Sequence, residues 1–269
     1  MFSLIIALSA GTATGLALFF AGMFGAGWSI FFGVLGFGAV QMSIGMFLQK
    51  RVKAAMKAVE TALLEGQKAI QAKTMRWQTR PPGSVQEAQN EIARDQRKFV
   101  AEALALTEPL HKFDNWVPMM KRQIATAQFQ LYWMVKEYRK CDQLMDKVLF
   151  VEPTMYAMKM ARMFVLDKPT EEIRKVYDKG RKRLRYNQNV LIAAAWTWML
   201  VKRGEIDEAF KALNEALKNS DNETLKANRE ALANNRPAHF SNTNIGDTWW
   251  ALGLEEPKVK MQRQRMQWR

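Results

Sequence analysis

No charged side chain occurs between Met1 and Leu48, and that absence constrains this chain more than any motif does. So long and apolar a run exceeds a single ordinary membrane span, because about 20 helical residues cross the hydrocarbon core. The sequence also holds only one cysteine, Cys141, and two histidines, His111 and His239. One cysteine excludes an internal disulfide and fits a reducing compartment. Within a helical pattern Cys141 reads as a small buried side chain rather than a nucleophile. The two histidines are far apart in sequence and have no metal-ligand spacing. There is no phosphate loop ending in Gly-Lys-Ser/Thr and no Gly-x-Ser-x-Gly nucleophile turn. Gly33, Gly36 and Gly38 lie inside the apolar run, where they cannot open a dinucleotide fold. Glu171 with Glu172, and Glu255 with Glu256, fall in polar helix-start or loop settings and read as helix-dipole partners. No catalytic residue, metal or cofactor is expected, and an enzyme is the least favoured class.

The apolar run divides at Gly22, Gly25 and Gly27. A reversal at 21–27 leaves two spans, 4–20 and 28–48. A cleaved signal peptide would need a basic n-region, which is missing, and apolar sequence resumes after the turn. Lys50, Arg51, Lys53 and Lys57 come immediately afterwards and mark the cytoplasmic side. The expectation is a two-span protein of the inner membrane, with both termini and the large domain in the cytoplasm. Gln41 is the most polar side chain in either span, so no ion path is marked and transport is not expected. Ser3, Ala7, Gly11 and Gly15 recur every four residues, and Ser29, Gly33 and Gly36 form a similar narrow face with Val40 and Ser43. Small stripes of this kind let helix backbones approach closely. Either they pack on each other, or one docks on a partner or a second copy.

All 40 Lys and Arg and all 26 Asp and Glu lie beyond Leu48, so the +14 formal charge belongs to the second part of the chain. That excess suits an anionic leaflet or nucleic acid. Val52, Met56, Val59, Leu63, Gly66, Ile70 and Trp77 have a coiled-coil 4-3 spacing, with Lys73 interrupting the seam. Nothing breaks the helix before Pro81-Pro82-Gly83, so one helix is expected from residue 28 to about 79. Ser84 and Glu87 match a capping box for the next helix, which carries Val85, Ala88, Ile92, Phe99, Ala103 and Leu106 on one face. These elements read as a stalk over 49–115, the alternative being direct packing into the next domain.

From Trp116 onward the pattern is helical with a period of about 36 residues. Its cleanest unit, 187–221, contains Gly204-Glu205-Ile206-Asp207-Glu208-Ala209, then Leu213 and Ala216, with Trp196 and Leu200 on the preceding helix. This unit resembles a tetratricopeptide repeat. In that family a small residue ends the turn of the first helix and small residues on the second allow close packing, positions held here by Gly204, Ala209 and Ala216. About 36 residues upstream, Lys168-Pro169-Thr170-Glu171-Glu172-Ile173 stands in register, with Tyr177 and Gly180 after it and Ile173 replacing the small residue. A third unit over 118–153 would place Tyr132, Trp133 and Val135 on one helix and Cys141, Met145 and Val148 on the next. The resemblance covers about 117–221 and implies helix–turn–helix stacking around a groove that binds peptides or protein helices. The crowd of methionines from Met119 to Met163 reads as core filling.

Residues 222–234 read as a terminal capping helix. Trp249, Trp250, Leu252 and Leu254 then need a surface to dock on, first of all the repeat array itself. Two basic clusters remain, Arg181, Lys182, Arg183 and Arg185, and the tail Lys258, Lys260, Arg263, Arg265 and Arg269. With Lys50, Arg51 and Lys53 they point to an anionic partner: acidic protein, lipid headgroups or, least favoured, RNA, since no RNA-binding module is present. The expected architecture is all-α, comprising a transmembrane helical hairpin (1–48), a coiled-coil-like stalk (49–115), tetratricopeptide-like repeats (116–235) and a docking segment with a basic tail (236–269). The expected function is a non-catalytic scaffold or assembly subunit of a membrane complex. Its expected partners are other proteins of that complex or a second copy. The alternative is an adaptor that recruits anionic lipid or RNA through its tail.

Overall fold

The computed structural model describes residues 2–22, 25–184 and 186–256, with the backbone alone at 186 and 187. Helix accounts for 80% of it and no strand occurs among the described residues, which fixes the class as all-α. The chain forms two compact units that divide between Leu149 and Phe150.

In the first unit, α1 (Phe2–Phe20) and α2 (Ala26–Thr79) are antiparallel neighbours. With no Pro or turn cluster inside it, α2 runs unbroken for 54 residues, about 80 Å at 1.5 Å per residue. After Pro81 and Pro82, the Ser84 hydroxyl accepts the Glu87 backbone N–H at 3.0 Å and starts α3 (Val85–Thr107). This helix returns along α2. Gly66 is the point of closest approach, since a Cβ there would lie 2.5 Å from Cγ of Phe99. Lys73, the residue that interrupts the apolar seam, faces Glu91 at 2.7 Å and also pairs with Asp95, so the seam continues as an ion-paired layer. Asp95 and then Glu91 hold the Lys73 ammonium above its ordinary value.

A 3-10 turn, Glu108–Phe113, leads to α4 (Met120–Met134) and α5 (Tyr138–Leu144). These helices join the hairpin's lower half: Val52, Leu110, Met120 and Ile124 form one core, and Val59, Val100, Ala103 and Leu131 another. The stalk is therefore not free-standing along that stretch, and the compact division falls at 149/150 rather than at the change of pattern near 115. The buried face of α3 shifts accordingly. Val100 and Leu104 turn inward to serve both α2 and α4, whereas Val85 and Leu106 are exposed. Met145 and Val148, assigned from the sequence to a helix, fall in the turn after α5.

The second unit contains α6 (Pro153–Val165), α7 (Thr170–Arg183), α8 (Val190–Lys202), α9 (Ile206–Leu217), α10 (Glu223–Ala233) and one turn, α11 (Asp247–Trp250). Helices α6/α7 and α8/α9 are joined by turns of the same geometry. In the first, Asp167 takes a left-handed φ of 52° while its N–H donates to the Phe164 carbonyl and that of Lys168 to Met163. In the second, Gly204 takes φ 79°, with Gly204 donating to Val201 and Glu205 to Leu200. This is the Schellman ending of a helix. It recurs in the first unit at Lys136, φ 60°, between α4 and α5. Met155, Met158 and Met160 are buried in α6, as core filling requires, while Met119 is exposed.

Candidate functional site

Three surfaces hold the residues that sequence patterning singles out. The first is the seam of the apolar hairpin. Ala7 and Gly11 of α1 are buried against Ser29 and Gly33 of α2. A Cβ on Gly11 would lie 2.7 Å from the Gly33 carbonyl oxygen and 2.8 Å from Cβ of Phe37. On Gly15 it would lie 3.1 Å from the Ser29 oxygen, and on Gly36 3.2 Å from Oγ1 of Thr14. The two stripes thus face each other. Mutual packing is the contact the stripes make within this chain, while Gly11, Gly15, Ser29 and Gly33 also line an open groove on one side of it. Ser3 is the exception within its stripe: its hydroxyl donates to the Trp116 carbonyl at 3.0 Å instead of facing α2. Beside the seam the missing side chains leave an open apolar groove of about 590 Å³, with Leu8, Leu16, Val34 and Phe37 among its walls. The buried Ser29 hydroxyl on that wall has no hydrogen-bond partner.

The outer surface of the hairpin is apolar and open. Ile5, Leu8, Ile30, Val34, Met42 and Met46 are each exposed. Aromatic side chains gather at its two ends: Phe19, Phe20, Trp28 and Phe31 at the turn, and Phe2, Phe47 and Trp116 at the foot. Trp28 and Phe47 are separated along α2 by about 28 Å at the helical rise. Lys50, Arg51 and Lys53 stand on the next turn and are exposed, with the Arg51 guanidinium 4.6 Å from the Phe47 ring centroid.

The second surface is built from the helix pairs. Trp196 stacks on Tyr177 at 5.5 Å and 17°, joining α8 to α7. Leu200, Ala209 and Leu213 are almost wholly buried, and Ala216 lies 8% exposed. Gly180 approaches Tyr156, to which a Cβ would come within 3.1 Å. The turns themselves interlock: Arg203 donates to Oγ1 of Thr170 at 2.7 Å and to the Lys168 carbonyl at 2.6 Å, and Thr170 donates to Glu205 at 2.8 Å. Burial pushes the Tyr177 phenol up to about 12, against the opposing pull of Arg181. Arg181 itself is ion-paired with Glu215 of α9, which raises its own ionisation. Within its cluster, Arg181 is thus held by an acid of the chain, while Lys182 and Arg183 are exposed. Arg185, Lys258, Lys260, Arg263, Arg265 and Arg269 lie outside the described residues.

The third surface is the segment after α10. Asn228 donates to Oδ1 of Asn242 at 2.8 Å, and Asn242 donates to the Ala194 carbonyl at 3.0 Å, all within the core. Trp249 is fully buried and meets Trp198 edge-on at 5.9 Å. One carboxylate ties both rings: Glu255 accepts the Trp198 indole N–H at 2.8 Å and the Trp249 indole N–H at 2.9 Å. Glu255 is therefore a clasp rather than a helix-dipole partner. With this segment in place, every residue of α8 from Leu191 to Leu200 is buried.

No family model, no curated protein and no solved structure matches the chain. His111 lies 3.0 Å from Asp114 and His239 is exposed, and no group of three metal-ligating side chains occurs among the described residues.

Proposed function

We propose that this chain is a non-catalytic scaffold or assembly subunit of a membrane-bound protein complex. In this reading α1 and the first half of α2 cross the bilayer as a hairpin, and helix pairs similar to tetratricopeptide repeats bind other proteins on the cytoplasmic side. The observation that carries it is the outer surface of the hairpin. Its exposed apolar side chains form a far larger patch than a water-soluble protein tolerates. The patch is bounded by aromatic clusters about 28 Å apart, close to the roughly 30 Å of a hydrocarbon core. The glycine seam supports retention of α1, because its removal would bare the complementary face of α2. Lys50, Arg51, Lys53 and Lys57 favour a cytoplasmic foot by the positive-inside rule.

The helix pairs favour protein binding over chemistry. Their Schellman turns and the Arg203–Thr170 lock support a repeated helix–turn–helix unit, and stacked units of that kind present extended surfaces. The partner surface is not the flank of α8, which the chain's own 240–255 segment already covers. In the membrane, the open groove with its unpartnered Ser29 hydroxyl suits a neighbouring helix better than the filled seam does.

Gentle extraction from native membranes in a neutral detergent, with mass and composition of the intact particle as the readout, tests this reading. Stoichiometric foreign subunits are the expected result. A particle containing only this chain and lipid would contradict it.

A further inference from the structure

Three segments distant in sequence meet at the foot of the hairpin and enclose a second groove of about 550 Å³. Ile6 comes from α1, Ile44 and Phe47 from α2, and Lys112, Phe113 and Trp116 from the turn after α3. Its position is fixed by contacts of the first residues of α1. The Phe2 N–H donates to the Asn115 carbonyl at 2.9 Å, the Ser3 hydroxyl to that of Trp116, and the Phe2 ring packs on Trp116 at 5.6 Å. One end of the groove belongs to the uncharged run and the other reaches the first cations. Of the polar side chains in its lining, the Ser43 hydroxyl is spent on the Ala39 carbonyl at 2.8 Å and Trp116 offers only its indole N–H. That leaves the exposed Lys112 ammonium as the one cation in the described lining, while the exposed Arg51 guanidinium lies over the ring of Phe47, one of the groove's walls. No carboxylate lines the groove; the nearby Asp114 meets His111 through Oδ2, and its Oδ1 is buried away from solvent.

We propose that this groove binds one anionic phospholipid of the surrounding leaflet, with an acyl chain along Ile6, Ile44 and Phe47 and the phosphate between Lys112 and Arg51. The inference rests on the membrane reading above. An apolar channel with Lys112 in its lining and Arg51 over its Phe47 wall fits an amphiphile with a negative head. Its lining offers no carboxylate to the cation of a zwitterionic lipid. Trp116 sits where amphipathic rings favour the headgroup boundary. The groove adds something the basic collar alone lacks: a defined stoichiometry.

The test is native mass spectrometry of the full chain in neutral detergent, titrated with phosphatidylglycerol and, separately, phosphatidylcholine. One phosphatidylglycerol per chain is expected to persist, and phosphatidylcholine is not. The double variant Arg51→Gln, Lys112→Gln should bind roughly 30-fold more weakly, as two cations near an anionic head imply. Lys57→Gln with Lys68→Gln removes the same charge from exposed sites away from the groove and should leave binding unchanged. Equal loss in both double variants, or equal retention of the two lipids, would overturn the site while leaving the membrane reading intact. Recovery of the chain in the aqueous fraction without detergent would instead overturn the membrane reading, and the site with it.

Discussion

Replacing Gly11 by leucine is expected to part the two apolar helices. The Cβ alone would enter the Gly33 carbonyl at 2.7 Å and the Phe37 side chain at 2.8 Å. A backbone oxygen cannot turn aside as a flexible side chain can. Overpacking of a tight contact costs about 1–3 kcal/mol, and here the helices must separate along their whole seam to relieve it. A disulfide reports this directly. A Cβ at Gly36 lies 3.5 Å from Cβ of Thr14, at the short edge of the range of about 3.5–4.5 Å that a disulfide spans. In a Cys141→Ala background, the pair Thr14→Cys, Gly36→Cys should therefore cross-link in mild oxidant. Adding Gly11→Leu should abolish the cross-link, while Gly38→Leu, whose Cβ meets nothing within 4 Å, should not. Unchanged cross-linking with Gly11→Leu would show that the stripes do not meet.

The second large effect is expected from Trp249→Ala. Truncating a fully buried tryptophan costs about 3–5 kcal/mol. The change also removes one of the two indole donors that Glu255 accepts. The consequence should be local, because what Trp249 covers is α8. Amide hydrogen exchange across Val190–Lys202 should accelerate by at least about 100-fold, the population equivalent of roughly 3 kcal/mol. Trp250→Ala, at a half-buried neighbour, should act far less. Protection of α8 that survives the loss of Trp249 would mean that the segment does not seal the helix.

The sequence is most legible where a single local rule decides the outcome. The unbroken α2 reflects the lack of any proline or turn cluster between Trp28 and Thr79. The start of α3 reflects the Ser84 cap, and the turn before α9 reflects a glycine at the one position that needs a left-handed φ. The equivalent turns at Lys136 and Asp167 carry no glycine, and the left-handed geometry there costs about 1–2 kcal/mol that only tertiary packing can offset. The turn at Asp167 is announced by the repeat register and by Pro169 just beyond it, whereas no local residue announces the one at Lys136. The small-residue stripes were readable as close-packing faces, and their packing on each other was one of two readings; that Gly11 meets Gly33 is a property of the folded pair.

The foot of the hairpin was hidden for a similar reason. Lys112 and Trp116 carry no pattern of their own and gain meaning only when α1 ties residues 115 and 116 beside Phe47. Glu255 looked like an ordinary surface acid beside Glu256 until the two indoles it joins, Trp198 and Trp249, were brought together from distant parts of the chain. Lys73 makes the opposite point. Its interruption of the heptad was visible, and the reason for it, the acids Glu91 and Asp95 on the returning helix, lies a hairpin away.

The central claim is that α1 and α2 cross a bilayer as a hairpin, leaving everything beyond the basic collar on one side. Single cysteines at Ala21, in the turn, and at Lys57, past the collar, test it in a Cys141→Ala background. Both positions are exposed. A membrane-impermeant maleimide applied to sealed, inside-out vesicles should label Lys57→Cys, and should label Ala21→Cys only after detergent opens the vesicles. Labelling of both positions in intact vesicles would contradict a hairpin that crosses the membrane.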